Sequence, residues 1–298
     1  AAYAQCAMDI AAEISGLRAE DVLYIHKSDD IGCPNFFIAV DQATDDIILS
    51  IRGTKTPADV ITDLACHTVP FLAGDAHAGM LGSADKVLTH AVPILRDLLI
   101  KYPTKQVVVT GHSLGAGVAV LTTLRLFSEA GFLFGATLAG SSAFQCFAFA
   151  PPAVFGPPDK VPVFASACIY SFVNHVDCVP RASALSIAAL MQALTYVDSL
   201  ALTPKQCILS LTGVASSSLS VELPDEMPLQ ASTREHLIRS FGNLSGVGTM
   251  LLLYEEDGRY RCDQVSPEMF KKLLLHPDMV SAHSIVKYEK MVVGVASI

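Results

Sequence analysis

An α/β fold with a mostly parallel central sheet, an antiparallel N-terminal lead-in and helices on both faces is predicted for this 298-residue chain by three observations. Residues 105–110 are largely β-branched and apolar and run into Gly111, and apolar side chains then recur at helical spacing over 114–130, the pattern of strand, sharp turn and helix. Beyond residue 105 strand-like and helix-like segments alternate, as a parallel sheet requires. Before it, Val22–His26, Phe36–Val40 and Ile47–Ile51 read as short strands, the last two joined by the turn Asp41–Asp46, and such short turns join antiparallel neighbours.

Taken in order, residues 1–16 read as an amphipathic helix ended by Gly16. Asp9 and Glu13 within it do not fit a secretory signal. After the third strand, Gly53 permits a tight turn and Pro57 suits the first turn of a short helix. Residues 64–73 are apolar without a core period and read as a candidate lid, with Val69, Phe71 and Leu72 covering the site in water. Ser83–Lys101 has the spacing of a long amphipathic helix containing Pro93. No charged residue falls between Glu129 and Asp159, but Gly and Pro interruptions and Ser141-Ser142 indicate a loop leading into a buried strand, Cys146–Ala150. Phe164–Val173 is a further strand. Residues 182–200 form an apolar helix broken by Gln192 and Asp198, which fits a packed or interfacial helix better than a membrane span. The polar, Ser-rich stretch 202–231 reads as a surface insertion within a single domain covering residues 1–298. Thr249–Tyr254 and Arg259–Val265 make a hairpin, and Pro267–Leu275 and His283–Met291 read as short helices.

Composition narrows the function. Only 16% of residues are charged, the net charge is −9, and no basic run occurs, which excludes phosphate-driven binding to nucleic acid. With a mean hydropathy of +0.45, any meeting with a membrane would use apolar surface rather than charge. The eight cysteines show no Cys-x-x-Cys, so no zinc site, metal or cofactor is expected. Reduced thiols are expected in place of disulfides, because no framework spacing is present.

Chemistry concentrates at Gly111-His-Ser-Leu-Gly115. A Gly-x-Ser-x-Gly at a strand-to-helix junction lets the chain turn tightly and holds Ser113 strained with its Oγ exposed. The amide of Leu114 and the N-terminus of the helix then face the oxygen that gains charge when Oγ attacks a carbonyl. A serine needs a base, and a carboxylate to orient that base, in the chain order Ser, acid, His. Asp177 lies just past a buried strand, where sites of open α/β sheets gather, whereas Asp159, Asp198, Asp225 and Asp263 fall in turns or on helices. His283, in a loop before the last helix, is the favoured base, with His276 the competitor and His236 the third downstream histidine. His112, adjacent to Ser113, is assigned a structural hydrogen bond. Thr54, in Arg52-Gly-Thr54, fits the second oxyanion donor, against the plainer role of a turn threonine capping a helix.

Arg52-Gly-Thr54, Thr62-Asp63-Leu64, His77-Ala-Gly-Met80, Gly111–Gly115, Asp177-Cys-Val-Pro180 and the late His283 with Tyr288 resemble the class 3 lipases, an α/β-hydrolase family, and in particular the catalytic domains of sn-1-specific diacylglycerol lipases. The resemblance implies Ser113, Asp177 and His283 as a triad, Thr54 and Leu114 as oxyanion amides, Asp63 as support for the Thr54 loop, and a lid between about Lys55 and Gly74. It implies a lipase that cleaves fatty-acyl esters of mono- or diacylglycerols at a lipid–water interface. A small-ester or feruloyl-type esterase and a non-catalytic interaction protein on the same fold are the alternatives.

Overall fold

The computed structural model describes residues 16–28, 30, 32–53, 67–129, 144–199 and 229–297. Strands β1 (Val22–His26), β2 (Phe36–Asp41) and β3 (Asp46–Ile51) pair antiparallel, and burial alternates residue by residue along β3. β4 (Thr68–Phe71) and β5 (Gly74–His77) form a hairpin that leads into helix α1 (Ala78–Lys101). Next come β6 (Val107–His112), α2 (Leu114–Ser128), β7 (Phe144–Phe149), the two-residue β8 (Phe155–Gly156), the single-turn α3 (Ala165–Cys168) and β9 (Ile169–Asn174). The chain closes with α4 (Ala184–Ser199), α5 (Ala231–Phe241), β10 (Thr249–Glu256), β11 (Arg259–Val265) and α6 (Ile285–Ala296).

One eight-stranded sheet, ordered β1-β2-β3-β6-β7-β9-β10-β11, organises these elements, and β5 lies between β4 and β8 in a second, three-stranded sheet. From β3 to β10 all neighbours run parallel, with antiparallel pairs at either edge. Helix α2 packs across β6 and β7, and Val107 and Val109 on one face of β6 are fully buried. Small residues let α2 approach: a Cβ on Gly117 would meet the Met80 sulfur at 2.7 Å and Val154 at 2.9 Å. No described helix is long and apolar enough to cross a membrane.

Several boundaries move from the expectation. α1 begins at Ala78 because the His77 ring accepts from the Met80 amide and caps the helix five residues before Ser83. The first part of the expected strand 164–173 is instead α3, whose Ala165 amide bonds to Pro162, while Phe164 stacks on Phe127 at 4.7 Å. Pro267–Leu275 contains only the 3-10 turn Pro267–Phe270, with Phe270 drawn into the core.

The lid needs the largest correction. Residues 68–74 belong to the β4–β5 hairpin, and Phe71 is buried, edge-on to Phe155 at 6.1 Å and under the Arg125 guanidinium. A side chain that fills the core cannot serve as a cover that swings away. Val69 also packs on the core, and Leu72 sits exposed at the hairpin tip with φ 51°. The rest of the expected lid, residues 55–66, lies outside the described residues, as do Thr54, Asp63, residues 1–15 of the helix expected over 1–16 and residues 202–228 of the insertion.

Among the described residues Cys33, Cys146, Cys168, Cys178 and Cys262 are free thiols. Burial pushes Cys146 up to about 12 and Cys168 to about 11, so both remain protonated and act as small apolar side chains.

Candidate active site

β6 ends at His112, and Ser113 follows with φ 61°, in the left-handed region that a side chain adopts only when its surroundings hold it there. Two glycines make that turn possible. A Cβ on Gly111 would stand 2.5 Å from the Gly115 carbonyl, and one on Gly115 would collide with the backbone of Ile51 to Gly53. The Ser113 amide donates to Phe149 O at 2.9 Å, which ties the turn to the neighbouring strand. Leu114 is the first residue of α2, so its N–H has no acceptor within the helix and stays available to a ligand oxygen.

The next two components arrive from far along the chain. Asp177 follows β9 through a tight turn in which His175 has φ 47° and the Asp177 amide donates to Asn174 O. His283 ends a 3-10 turn, Ser281–His283, directly before α6. Two bonds join these segments: Asn174 Nδ2 donates to Ala282 O at 2.9 Å, and the Cys178 amide to Met279 O at 3.2 Å. Together they bring the His283 ring between Ser113 and Asp177.

Nε2 of His283 lies 2.8 Å from Ser113 Oγ, and Nδ1 lies 3.0 and 3.1 Å from the two Asp177 oxygens. The carboxylate can only accept, so Nδ1 carries the ring proton and Nε2 is left to accept from the serine hydroxyl. All three groups are buried, with Ser113 3% exposed, His283 6% and Asp177 0%.

A buried carboxylate is costly unless its lone pairs are occupied. Besides His283, Asp177 accepts from the Val179 amide at 2.9 Å and from the Tyr288 hydroxyl at 2.7 Å. Tyr288 is 1% exposed and accepts in turn from the Asn174 amide at 2.9 Å. Burial and the Asp177 charge raise its phenol well above the ordinary value, so it remains a donor. Arg181, itself buried, donates to Met269 O and His175 O and lies over the Phe270 ring, which brings a compensating positive charge near Asp177. Burial lowers its guanidinium, and the attraction of Asp177 works against that shift.

His112 supports the base from the other side. Its ring lies 4.7 Å from that of His283, and its Nε2 is 2.9 Å from His283 O, where a carbonyl requires a donor. Burial, with His283 nearby, pushes the His112 imidazole down to about 4, so it stays neutral.

The remaining candidates lie elsewhere. His276 is exposed on a turn and accepts from the Asp278 amide. Asp263 receives the Tyr254 hydroxyl on exposed β11, Asp159 and Asp198 sit on a surface turn and on α4, and His236 lies on α5. Reading the sequence assigned no role to Arg181 or Asn174 and gave Tyr288 only as part of a motif. The signal for Tyr288 was its place on the first turn of the helix after His283, which points it back at whatever His283 touches.

An uncharged imidazole bonded to a strained serine and to a buried carboxylate can take a hydroxyl proton as the oxygen attacks an electrophile, and can return it to a leaving group. Known proteins share this framework. The family model described as Lipase (class 3) matches residues 48–187. Human diacylglycerol lipase-alpha is 28% identical over 235 residues, covering 73% of this chain and 21% of that protein. The secreted mono- and diacylglycerol lipase A of Penicillium cyclopium is 27% identical over 154 residues, covering 51% of this chain and 47% of that one. A solved triacylglycerol lipase, described as having a serine-protease triad as its catalytic centre, superposes with a TM-score of 0.55 at 19% identity, covering 89% of this chain and 80% of its own. That likeness shows the α/β-hydrolase fold. The chain spans about a fifth of the length of the diacylglycerol lipase-alpha sequences it matches. Residues 48–187, which carry Ser113 and Asp177, are thus similar to the class 3 lipases.

Proposed function

We propose that this chain is a catalytic domain that hydrolyses fatty-acyl esters of glycerolipids, mono- and diacylglycerols foremost, through an acyl-enzyme on Ser113. The observation that carries the proposal is the 2.8 Å approach of His283 Nε2 to Ser113 Oγ, with Nδ1 held by Asp177. Ser113 Oγ attacks the ester carbonyl while His283 takes its proton. Asp177 stays ionised, fixes the ring's orientation and offsets the imidazolium charge. The Leu114 amide, joined by that of Thr54 with Asp63 supporting its loop, receives the developing oxyanion. His283 then protonates the departing glyceride alcohol. Water repeats the sequence on the acyl-enzyme, releasing the fatty acid and restoring the serine hydroxyl.

The lipid substrate is supported by the class 3 family match, by the diacylglycerol lipases among the relatives and by apolar side chains flanking His283. Val280, Ile285 and Val286 are 52%, 51% and 66% exposed, an arrangement that suits contact with an acyl chain or a lipid surface better than with a charged ligand.

The test compares the wild-type chain with Ser113→Ala on defined mono-, di- and triacylglycerols, alongside labelling by a fluorophosphonate probe. Fatty acid release from mono- and diacylglycerol and labelling of the wild type alone are expected. Hydrolysis confined to small aromatic esters would identify an esterase instead, and no labelling of the wild type would leave a non-catalytic protein.

A further inference from the structure

At the β1 edge of the sheet three side chains with metal-binding atoms face one another. His26 ends β1, Cys33 sits in the loop that follows, and His90 projects from α1, with their ligand atoms all within 4.8 Å of one another. Cys33 Sγ and His26 Nε2 are already 3.5 Å apart. Two ligands of one tetrahedral zinc ion stand about 3.6 Å apart when the bonds are about 2.1 Å to nitrogen and 2.3 Å to sulfur. His26 is sandwiched between Phe36, at 4.9 Å, and His90, at 4.3 Å, so its ring is held in place while the exposed His90 ring has room to turn.

The loop bearing Cys33 is fastened to the helix bearing His90 without any ion. Ser83 Oγ donates to Gly32 O at 3.0 Å, and Lys86 Nζ pairs with Asp30 Oδ2 at 2.6 Å. Inside the loop, Asp30 Oδ1 accepts from the Gly32 amide, and Ser28 Oγ from the Asp30 amide. Positions 83, 86 and 90 share one face of α1, so the same face that grips the loop also presents the second imidazole. Such a fixed frame lowers the cost of bringing ligands together.

The chemistry of the donors agrees with this placement. Burial, with His90 nearby, lowers His26 below the ordinary imidazole value, which keeps it in the neutral form a metal requires. Burial raises the Cys33 thiol, so an ion entering here must displace its proton.

We propose that His26, Cys33 and His90 bind one zinc ion, the fourth position being taken by water and the Cys33 proton passing to solvent. One thiolate and two imidazoles suit a borderline-soft divalent ion and would reject calcium or magnesium. Read along the chain the trio has no motif, because Cys33 is a lone cysteine and His90 belongs to a distant helix. The site's loop also reaches the region of the serine: Asn35, which accepts from the Ser28 amide through its side chain, accepts from the Arg52 amide through its carbonyl at 2.9 Å. Zinc would therefore stiffen the segment that runs into Gly53.

Chelator-stripped protein is titrated with Zn²⁺ by calorimetry, and with Co²⁺ while the near-ultraviolet thiolate-to-cobalt band is recorded. Cys33→Ser and the surface substitution His90→Ala are measured in parallel, each first shown to be folded by circular dichroism. One zinc per chain is expected, weakened at least about tenfold in both variants, with the cobalt band present in the wild type and lost in Cys33→Ser. Zinc binding that survives either substitution at wild-type strength, or a wild type that takes up no zinc or shows no cobalt–thiolate band, overturns the proposal.

Discussion

Two regions at the same end of the eight-stranded sheet treat their polar groups in opposite ways. Beyond β6 and β9, Ser113, Asp177, His283 and Tyr288 are buried and bonded to one another or to backbone, whereas beyond β1, three strands across, a buried Cys33 stands beside a half-buried His26 and an exposed His90. At about 4.8 Å per strand the two are separated by roughly 14 Å of ladder. In the first region these four groups already have their partners, so taking one away leaves another stranded in a dry environment. The second region has slack: its exposed imidazole can change partners without disturbing the core. Parallel strands covered on both faces make the first region dry, and the edge strand makes the second wet.

The contrast can be broken by substitutions in the dry region. Asp177→Asn is expected to lower kcat by about 10⁴-fold, because an amide in place of the carboxylate favours the wrong imidazole tautomer. A fall of less than tenfold in the steady-state rate would assign the orienting role elsewhere. Tyr288→Phe, a smaller change, strands the Asn174 amide and one Asp177 lone pair and should cost about 1–3 kcal/mol in urea unfolding. It should also shift the pH–rate profile, which a purely structural tyrosine would leave in place. An unchanged midpoint and profile would show that water replaces the hydroxyl freely.

His112 sharpens the comparison with the least effect. Its folded value of about 4 lies below the ordinary 6.5, so the unfolded chain takes up the proton first as acid is added. The stability that the neutral ring contributes is fully present above pH 6.5 and is lost as the pH falls through 4. His112→Gln, which keeps a donor for His283 O, should therefore lose less melting temperature than the wild type between pH 7 and 4.5. Parallel losses in the two proteins would mean that this ring is already wet.

How far the site could be read in advance varies residue by residue. Ser113 was legible because strand, glycine, serine, glycine and helix are contiguous, and the constraint that places Oγ is a local steric one. Asp177 was legible from its position after a buried run, since strand ends are where an open α/β sheet presents its loops. The choice between His283 and His276 was not settled by the residues alone. Both occupy polar turns seven positions apart, and the bonds from Asn174 to Ala282 and from Cys178 to Met279 decide which one turns inward. Phe71 was misread as part of a cover because an apolar residue without period looks the same in a lid and in a hairpin that closes over the core.

By itself, then, the chain's order of residues determined the elements, their parallel arrangement and the strained serine, because periodicity, β-branching and the missing Cβ atoms of Gly111 and Gly115 act over a few residues. Only the tertiary structure decided which imidazole meets that serine, that Tyr288 completes the shell of Asp177, and that His26, Cys33 and His90 converge. Those contacts join positions up to 170 residues apart, and their energy exists only once the sheet and its two covering layers have brought the strand ends together.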